Sequence, residues 1–330
     1  MQVTITGAAG FIGRKLARRL LESNALAGSD GTMRQLERMI LLDMAPPDDA
    51  TANDPRVTVL TGDMRDRSLL EQALPAGTDS VFHLAAVVSA GAEEDFDLGM
   101  AVNLDATRTI LEICRGHSTR PRVVFASSCA AFGGEMPEPI ADMTARTPQT
   151  SYGTQKVIGE LLVNDYSRKQ FVDGRAVRFP TVVVRPGKPN KAASTFASSI
   201  IREPLQGQRA TCPVAARSRM FLASPRSIIE NLLRAHNLAE SDWGPSREVT
   251  FPGFTLSVGE MVDALKAVAG NEIAGRIDWS ADPFIQAIVD GWPPEFDTDK
   301  ADALGLVRDD SMEDVIRAFI EDDLDAAPPA

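Results

Sequence analysis

Short apolar runs separated by polar and glycine-containing turns mark the first 180 residues of the chain. Runs at residues 2–6, 39–42, 56–60, 80–83, 122–126 and 175–179 read as strands, and longer stretches between them read as helices. After the first strand, Leu16, Leu20 and Leu21, with Phe11 and Ile12 ahead of them, lie on one helical face. Asp66 or Ser68 caps a helix that runs through Leu74. A further helix is expected over residues 96–115, and another opens near residue 150. Residues 24–38 form a polar insertion with room for a short helix, and residues 87–95 read as a loop. Beyond about residue 195 helical stretches such as 228–236 and 258–269 alternate with short strands and Pro/Gly turns. From residue 321 the tail is acidic and ends Ala-Ala-Pro-Pro-Ala, which predicts a helix end followed by disorder.

Chemistry enters at the turns. The first strand runs into Gly7-Ala-Ala-Gly10-Phe-Ile-Gly13 and then a helix. Gly7 suits a tight turn, Gly10 lets backbone approach a pyrophosphate, and Gly13 lets helix and strand pack closely. The helix N-terminus offers free N–H groups to phosphate. Asp43, at the end of the second strand, suits the hydroxyls of an adenosine ribose and would repel a 2′-phosphate, which favours NAD over NADP. Asp63 is placed for an adenine amine, with Met64 against the ring. Leu84, Ala85 and Ala86 are small enough at a strand end for a cofactor to lie across them. His83 reads as a structural histidine, Ser89 as a substrate contact, and Asn103 as a helical asparagine with a buried role.

Ser127 and Ser128 end the fifth strand, and Tyr152 and Lys156 follow four residues apart, so they stack on one helical face. A lysine cation beside a phenol favours the phenolate, and a phenol otherwise titrates near ~10. Pro180 and Thr181 then offer backbone to a nicotinamide. Arg185, Lys188 and Lys191 form a basic loop beside this edge, suited to an anionic substrate group. Arg217, Arg219 and Arg226 make a second basic group.

Composition narrows the field without naming a chemistry. A formal charge of -12 and a pI near 4.8 argue against a nucleic-acid or anionic-membrane partner. Cys114, Cys129 and Cys212, like His83, His117 and His236, are too scattered for a disulfide framework or a zinc site, and no metal is expected. The strand-like start and the lack of a long apolar run make the cytoplasm the expected location.

Taken in order, Thr6-Gly7-Ala-Ala-Gly10-Phe-Ile-Gly13, Asp43, Gly62-Asp63, His83-Leu84-Ala85-Ala86, Ser127-Ser128 and Tyr152-Gly-Thr-Gln-Lys156 resemble the extended short-chain dehydrogenase/reductase family, the relatives of nucleotide-sugar epimerases. The resemblance implies an α/β fold, with a doubly wound parallel Rossmann sheet in an NAD-binding part over residues 1–180. Residues 181–330 would be mainly a smaller α/β substrate lobe, with segments returning to the core. It implies Ser128 as the catalytic hydroxyl, Tyr152 as base, and Lys156 lowering its pKa and holding the nicotinamide ribose. The NAD contacts it implies include Gly7, Gly10, Phe11, Ile12, Gly13, Asp43, Asp63, Met64, Leu84, Ala85, Ala86, Asn103, Pro180, Thr181 and Val183. Phe132 departs from the tyrosine often found there in epimerases. Residues 179–194 resemble a branch that oxidises the 2-hydroxyl of a four-carbon sugar acid, D-erythronate, with Arg185 a substrate contact. Rival readings are an L-threonine dehydrogenase-like enzyme, a nucleotide-sugar epimerase or dehydratase, and an NAD-sensing binding protein. A homodimer through two helices per subunit is usual in the family.

Overall fold

The computed structural model describes residues 1–47, 50–187 and 192–324. Lys188 and Lys191 of the expected basic loop, and the end of the tail, lie outside the described residues. Seven parallel strands form the main sheet: β1 (Gln2–Thr6), β2 (Arg38–Asp43), β3 (Val57–Thr61), β4 (Ser80–His83), β5 (Arg122–Ser128), β6 (Asp173–Phe179) and β7 (Glu248–Thr250). Their order is β3-β2-β1-β4-β5-β6-β7, and every pairing is parallel. The order reverses direction between β1 and β4, which opens a crevice at the carboxyl ends of the strands, where open α/β sheets bind ligands. Met39, Ile40, Leu41 and Leu42 are all buried. Cover on both faces explains why such strands read as unbroken apolar runs.

Helices cover the two faces. On one, α1 (Phe11–Ser23) packs with a late helix, α8 in chain order (Pro225–Asn237), through Leu16, Leu20, Ile228 and Leu232. On the other lie α2 (Arg67–Ala73), α5 (Ala106–Arg115) and α6 (Ser151–Arg168), with Leu70, Ile110 and Val163 against Val81 and Val123. Asp66 is the cap of α2, its carboxylate accepting from the Ser68 N–H. A separate core joins Val183, Phe196, Ile200, Leu222, Met261 and Ile316 around a three-stranded sheet of Thr181–Val182, Arg219–Ala223 and Phe254–Ser257. That core contains α7 (Thr195–Leu205). Residues of the second half thus serve both cores, since β7 and α8 join the main sheet layer. None of the described helices is long and apolar enough to cross a membrane.

Two local expectations are corrected. Residues 24–38 form no helix; they are a hairpin of Ala25–Ala27 and Met33–Gln35 turning through Gly31, whose φ is +75°. Buried Leu26 and Leu36 anchor the hairpin, and Arg122 and Asn237 bond its Ala27 backbone. Residues 87–95 are not a plain loop, because Ser89–Glu94 form a helical turn and a half, α3. Its alanines and glutamates favour helix despite Gly91. The helix expected over 96–115 is built from α4 (Phe96–Gly99), a π-helical segment at Met100–Asp105 and α5.

His83 is 1% exposed and lies between the hydroxyls of Thr6 and Thr107, at 2.7 and 2.8 Å. Burial, aided by the Lys156 charge, lowers its pKa to about 3, so it is neutral in the folded chain. Protonation therefore favours the unfolded state, whose histidine titrates near ~6.5. The stabilisation from His83 is complete above about pH 6.5 and is lost as pH falls toward about 3. We expect the urea midpoint to fall between pH 7 and pH 5, and His83→Asn to lessen that dependence, part of which remains because buried His236 is held neutral in the same way.

Candidate active site

The glycine turn sits at the switch point. Gly7 has φ +72°, and a Cβ there would lie 2.7 Å from the Ala85 nitrogen. Close contact between this turn and the start of the Leu84-Ala85-Ala86 segment thus requires glycine. A Cβ on Gly13 would lie 2.2 Å from the Gly7 carbonyl oxygen and 2.7 Å from the Ala8 Cα, both backbone atoms. Gly13→Ala must therefore displace α1. Overpacking of that kind costs about 1–3 kcal/mol. We expect a lower Tm and weaker NAD binding, read by NAD titration of the purified variant.

Gly10 differs from both. It is exposed, and a Cβ there would meet only its own turn, 3.2 Å from the Gly7 oxygen. No side chain among the described residues caps the first turn of α1, and that turn holds no acid. Open backbone and uncapped N–H groups suit the pyrophosphate of a dinucleotide. The Asp43 carboxylate faces the same turn and accepts from Ala9 N–H at 2.9 Å and Met44 N–H at 2.6 Å. Asp63 is held by Arg65, with N–O distances of 2.8 and 2.5 Å, and Met64 beside it is 7% exposed. The open backbone at Gly10 and the Asp43 carboxylate beside it suit a dinucleotide such as NAD.

The Asn103 amide is committed within the protein. It accepts from Val87 N–H at 2.8 Å and donates to Val87 O and to Gln155 Oε1 at 3.0 and 2.7 Å. Its role in the structure is to fix the segment after β4. Val183 is wholly buried in the second core. Pro180 is buried and Thr181 half-buried at the carboxyl end of β6. Ser89 is half-buried at the start of α3, on the same side of the sheet.

The two serines that end β5 diverge because alternate strand residues face opposite ways. Ser127 turns inward and donates to buried Glu160 at 2.5 Å. Ser128 turns to the crevice, where its hydroxyl meets the Tyr152 phenol. Helix α6 brings the phenol there. Thr150 caps it by accepting from Gly153 N–H at 3.0 Å, which places Tyr152 in the first turn. A Cβ on Gly153 would lie 2.2 Å from the Ala130 carbonyl oxygen, so glycine permits the approach of α6 to the turn after Ser128. This glycine, inside the Tyr-x-x-x-Lys motif, carries the Ser–Tyr distance.

Burial pushes the Tyr152 phenol up to about 12, and the Ser128 hydroxyl and the Arg185 charge act to lower it. The sequence assigns that help to Lys156. In the structure Lys156 donates to the Ala126 carbonyl at 2.7 Å, and its Nζ lies 5.5 Å from the centre of the Tyr152 ring. Burial lowers the Lys156 pKa to about 8, with Glu160 opposing the fall.

Beneath these groups lies a network that the sequence does not announce. Glu160 is completely buried and takes hydrogen bonds from Arg178 Nε and Nη2, both at 2.8 Å, and from Arg146 Nη1 at 2.9 Å. The Arg178 guanidinium lies 4.9 Å from the centre of the Phe132 ring. Phenylalanine at this position thus packs under a buried cation.

A family profile described as NAD dependent epimerase/dehydratase matches residues 3–220. The chain belongs to that family. A D-erythronate dehydrogenase of Cupriavidus necator is 50% identical over 98% of both chains. Another of Haemophilus influenzae is 46% identical over 98% of this chain and all of its own. A solved nucleoside-diphosphate-sugar epimerase of Agrobacterium tumefaciens superposes with a TM-score of 0.91 at 41% identity, covering 98% of this chain and 95% of that one. As a member of the NAD dependent epimerase/dehydratase family, the protein is an NAD-using enzyme on a Rossmann-type sheet, as the ordered motifs imply.

The basic residues are less concentrated than their sequence positions imply. Arg219 pairs with Glu295, and Arg226 with Asp322 and Glu321, so these two arginines answer local acids. Arg185 is different. It is half-buried, its charge is felt by Tyr152, and no carboxylate among the described residues pairs with it.

Proposed function

We propose that this enzyme oxidises the C2 hydroxyl of D-erythronate to the 2-oxo acid with NAD, in the cytoplasm, in catabolism of carbohydrate acids. One observation carries the substrate class: a guanidinium without a carboxylate partner, beside the phenol that would act as base. The names of the two relatives above agree with it. Arg185 would pair the substrate carboxylate, a geometry that guanidinium groups suit. Pairing the carboxylate beside Tyr152 holds the adjacent C2 hydroxyl at the phenol, and hydride transfer depends on such alignment. Ser128 would bond the C2 oxygen, and Tyr152 as phenolate would take its proton. NAD, when bound, supplies the hydride acceptor. Lys156 would hold the nicotinamide ribose, and Ser89, near the crevice, would contact the substrate. The net change removes one hydride from C2 and one proton from its oxygen. We also propose residues 181–330 as mainly the substrate lobe, and a homodimer as the working unit.

The test is NADH formation at 340 nm with D-erythronate, its uncharged amide, L-threonine and nucleotide sugars. Turnover of D-erythronate with little on the amide is expected. Turnover of threonine instead, or no net NADH from any of them, would overturn the proposal.

A further inference from the structure

Helix α7 is arranged around one residue of the preceding loop. Ser194, Ser198 and Arg202 follow at intervals of four, so they share one helical face. All three bond Arg185. The Arg185 Nη2 donates to Ser194 Oγ at 2.9 Å, and the Arg185 backbone N–H donates to Ser198 Oγ at 3.0 Å. The Arg202 Nη1 donates to the Arg185 carbonyl oxygen at 2.6 Å. A fourth bond runs from Arg185 Nε to Val182 O at 3.0 Å. Side chain, amide and carbonyl of one arginine are thus all fixed by a single helix face.

Two details make this more than loop packing. Ser194 is the N-cap of α7, yet its hydroxyl caps no N–H of that helix. A serine here ordinarily accepts from the first turn; this one accepts from a guanidinium instead. The second detail is charge. Arg202 is 2% exposed and lies close enough to Arg185 for the two cations to oppose each other. Arg202 has a carboxylate in Glu203, at 2.7 Å, whereas Arg185 has none among the described residues. The rigidity of α7 comes from Phe196, Ala197, Ile200 and Ile201, buried in the second core. A fixed helix holding an uncompensated guanidinium suits a small anion and excludes the matching neutral group, which would leave that charge unpaired.

We propose that Ser194, Ser198 and Arg202 are positioning residues that aim Arg185 and so make α7 the element that selects an acid over its neutral analogue. This rests on the reading of Arg185 as the carboxylate anchor.

The experiment uses full-length enzyme with saturating NAD and compares wild type, Ser194→Ala, Arg185→Met and the double variant. Because Ser194 caps nothing, Ser194→Ala should fold normally. It should raise KM for D-erythronate about 5- to 10-fold, the worth of one hydrogen bond, with kcat and the KM for NAD unchanged. In the Arg185→Met background the same substitution should have no further effect, since residues acting through one partner are not additive. Equal effects of Ser194→Ala in both backgrounds would overturn the proposal, as would no effect in either. If Arg185→Met does not fold, the single variant still decides. Its preference for D-erythronate over the amide, as a ratio of kcat/KM values, should fall, and an unchanged ratio overturns the proposal. A wild-type enzyme that does not oxidise D-erythronate overturns the function and this inference together, whereas a normal wild type with an indifferent Ser194→Ala overturns the inference alone.

Discussion

Tyr152→Phe should lower kcat with D-erythronate by about 10²- to 10⁴-fold, the range for loss of a positioned general base. In the proposed mechanism the phenol beside Ser128 is the proton acceptor, and the other tyrosine, Tyr166, bonds Glu112 on the outer helices. Phenylalanine fills the same space, so the Ser128 turn and the α6 cap stay in place. NAD affinity should change little, because the glycine turn and Asp43 lie on other strands. The pH profile sharpens the test. In the protein alone the phenol is held up at about 12 by burial, with Ser128 and Arg185 pulling it down. Oxidation by the phenolate should therefore rise with pH from neutrality in the wild type, and Tyr152→Phe should remove that rise. A variant with wild-type turnover, or one with the same pH profile, would exclude Tyr152 as base.

Glu160→Leu should be the most damaging change to stability. It leaves Arg178 buried without its partner, and removing one member of a buried ion pair costs about 3–5 kcal/mol. Arg178 does keep a weaker link to Asp142 at 3.4 Å, and Arg146 a second carboxylate in Glu248 at 3.0 Å. Part of the loss is thus recoverable, and the lower end of the range is the better expectation. Glu160→Gln keeps the size and loses the charge. In that variant Lys156 would lose the carboxylate that holds up its pKa, now about 8. Its charge at neutral pH would fall, and the pH profile of turnover would move to lower pH on the side where Lys156 deprotonates. Denaturant unfolding reads the first effect and kinetics the second. A Tm for Glu160→Leu equal to wild type would show that the network bears no stability.

The main sheet was legible because both of its faces are covered, so each strand from Gln2 to Phe179 is a short apolar run closed by a functional turn. The placing of Tyr152 and Lys156 together was legible because two residues four apart share a helical face by spacing alone. What the sequence could not show depends on partners far along the chain. Residues 24–38 become a hairpin because Arg122 and Asn237 bond its backbone at Ala27. Glu160 is one of two acids in α6, with Asp165, and nothing local reveals that Arg146 and Arg178 converge on it. The help assigned to Lys156 shows the same limit. Spacing puts its side chain on the face of Tyr152, but tertiary contact turns the ammonium to Ala126 and brings in Arg185 from another element. A signal did exist for α7: serines and an arginine four apart on a helix whose other face is apolar.

The return of residues 248–250 to the main sheet bears on how this enzyme can change its substrate during evolution. Without that strand, β6 would expose a row of unpaired backbone groups one strand away from Ser128, an invitation to pairing with other chains. Without α8, the apolar side of α1 under the glycine turn would face water. A polypeptide ending near residue 180 should therefore aggregate rather than bind NAD, and exchanging the second half wholesale between relatives would break the cofactor half. New specificity must arrive by point changes within α7 and its neighbours while the returning strand and helix stay fixed.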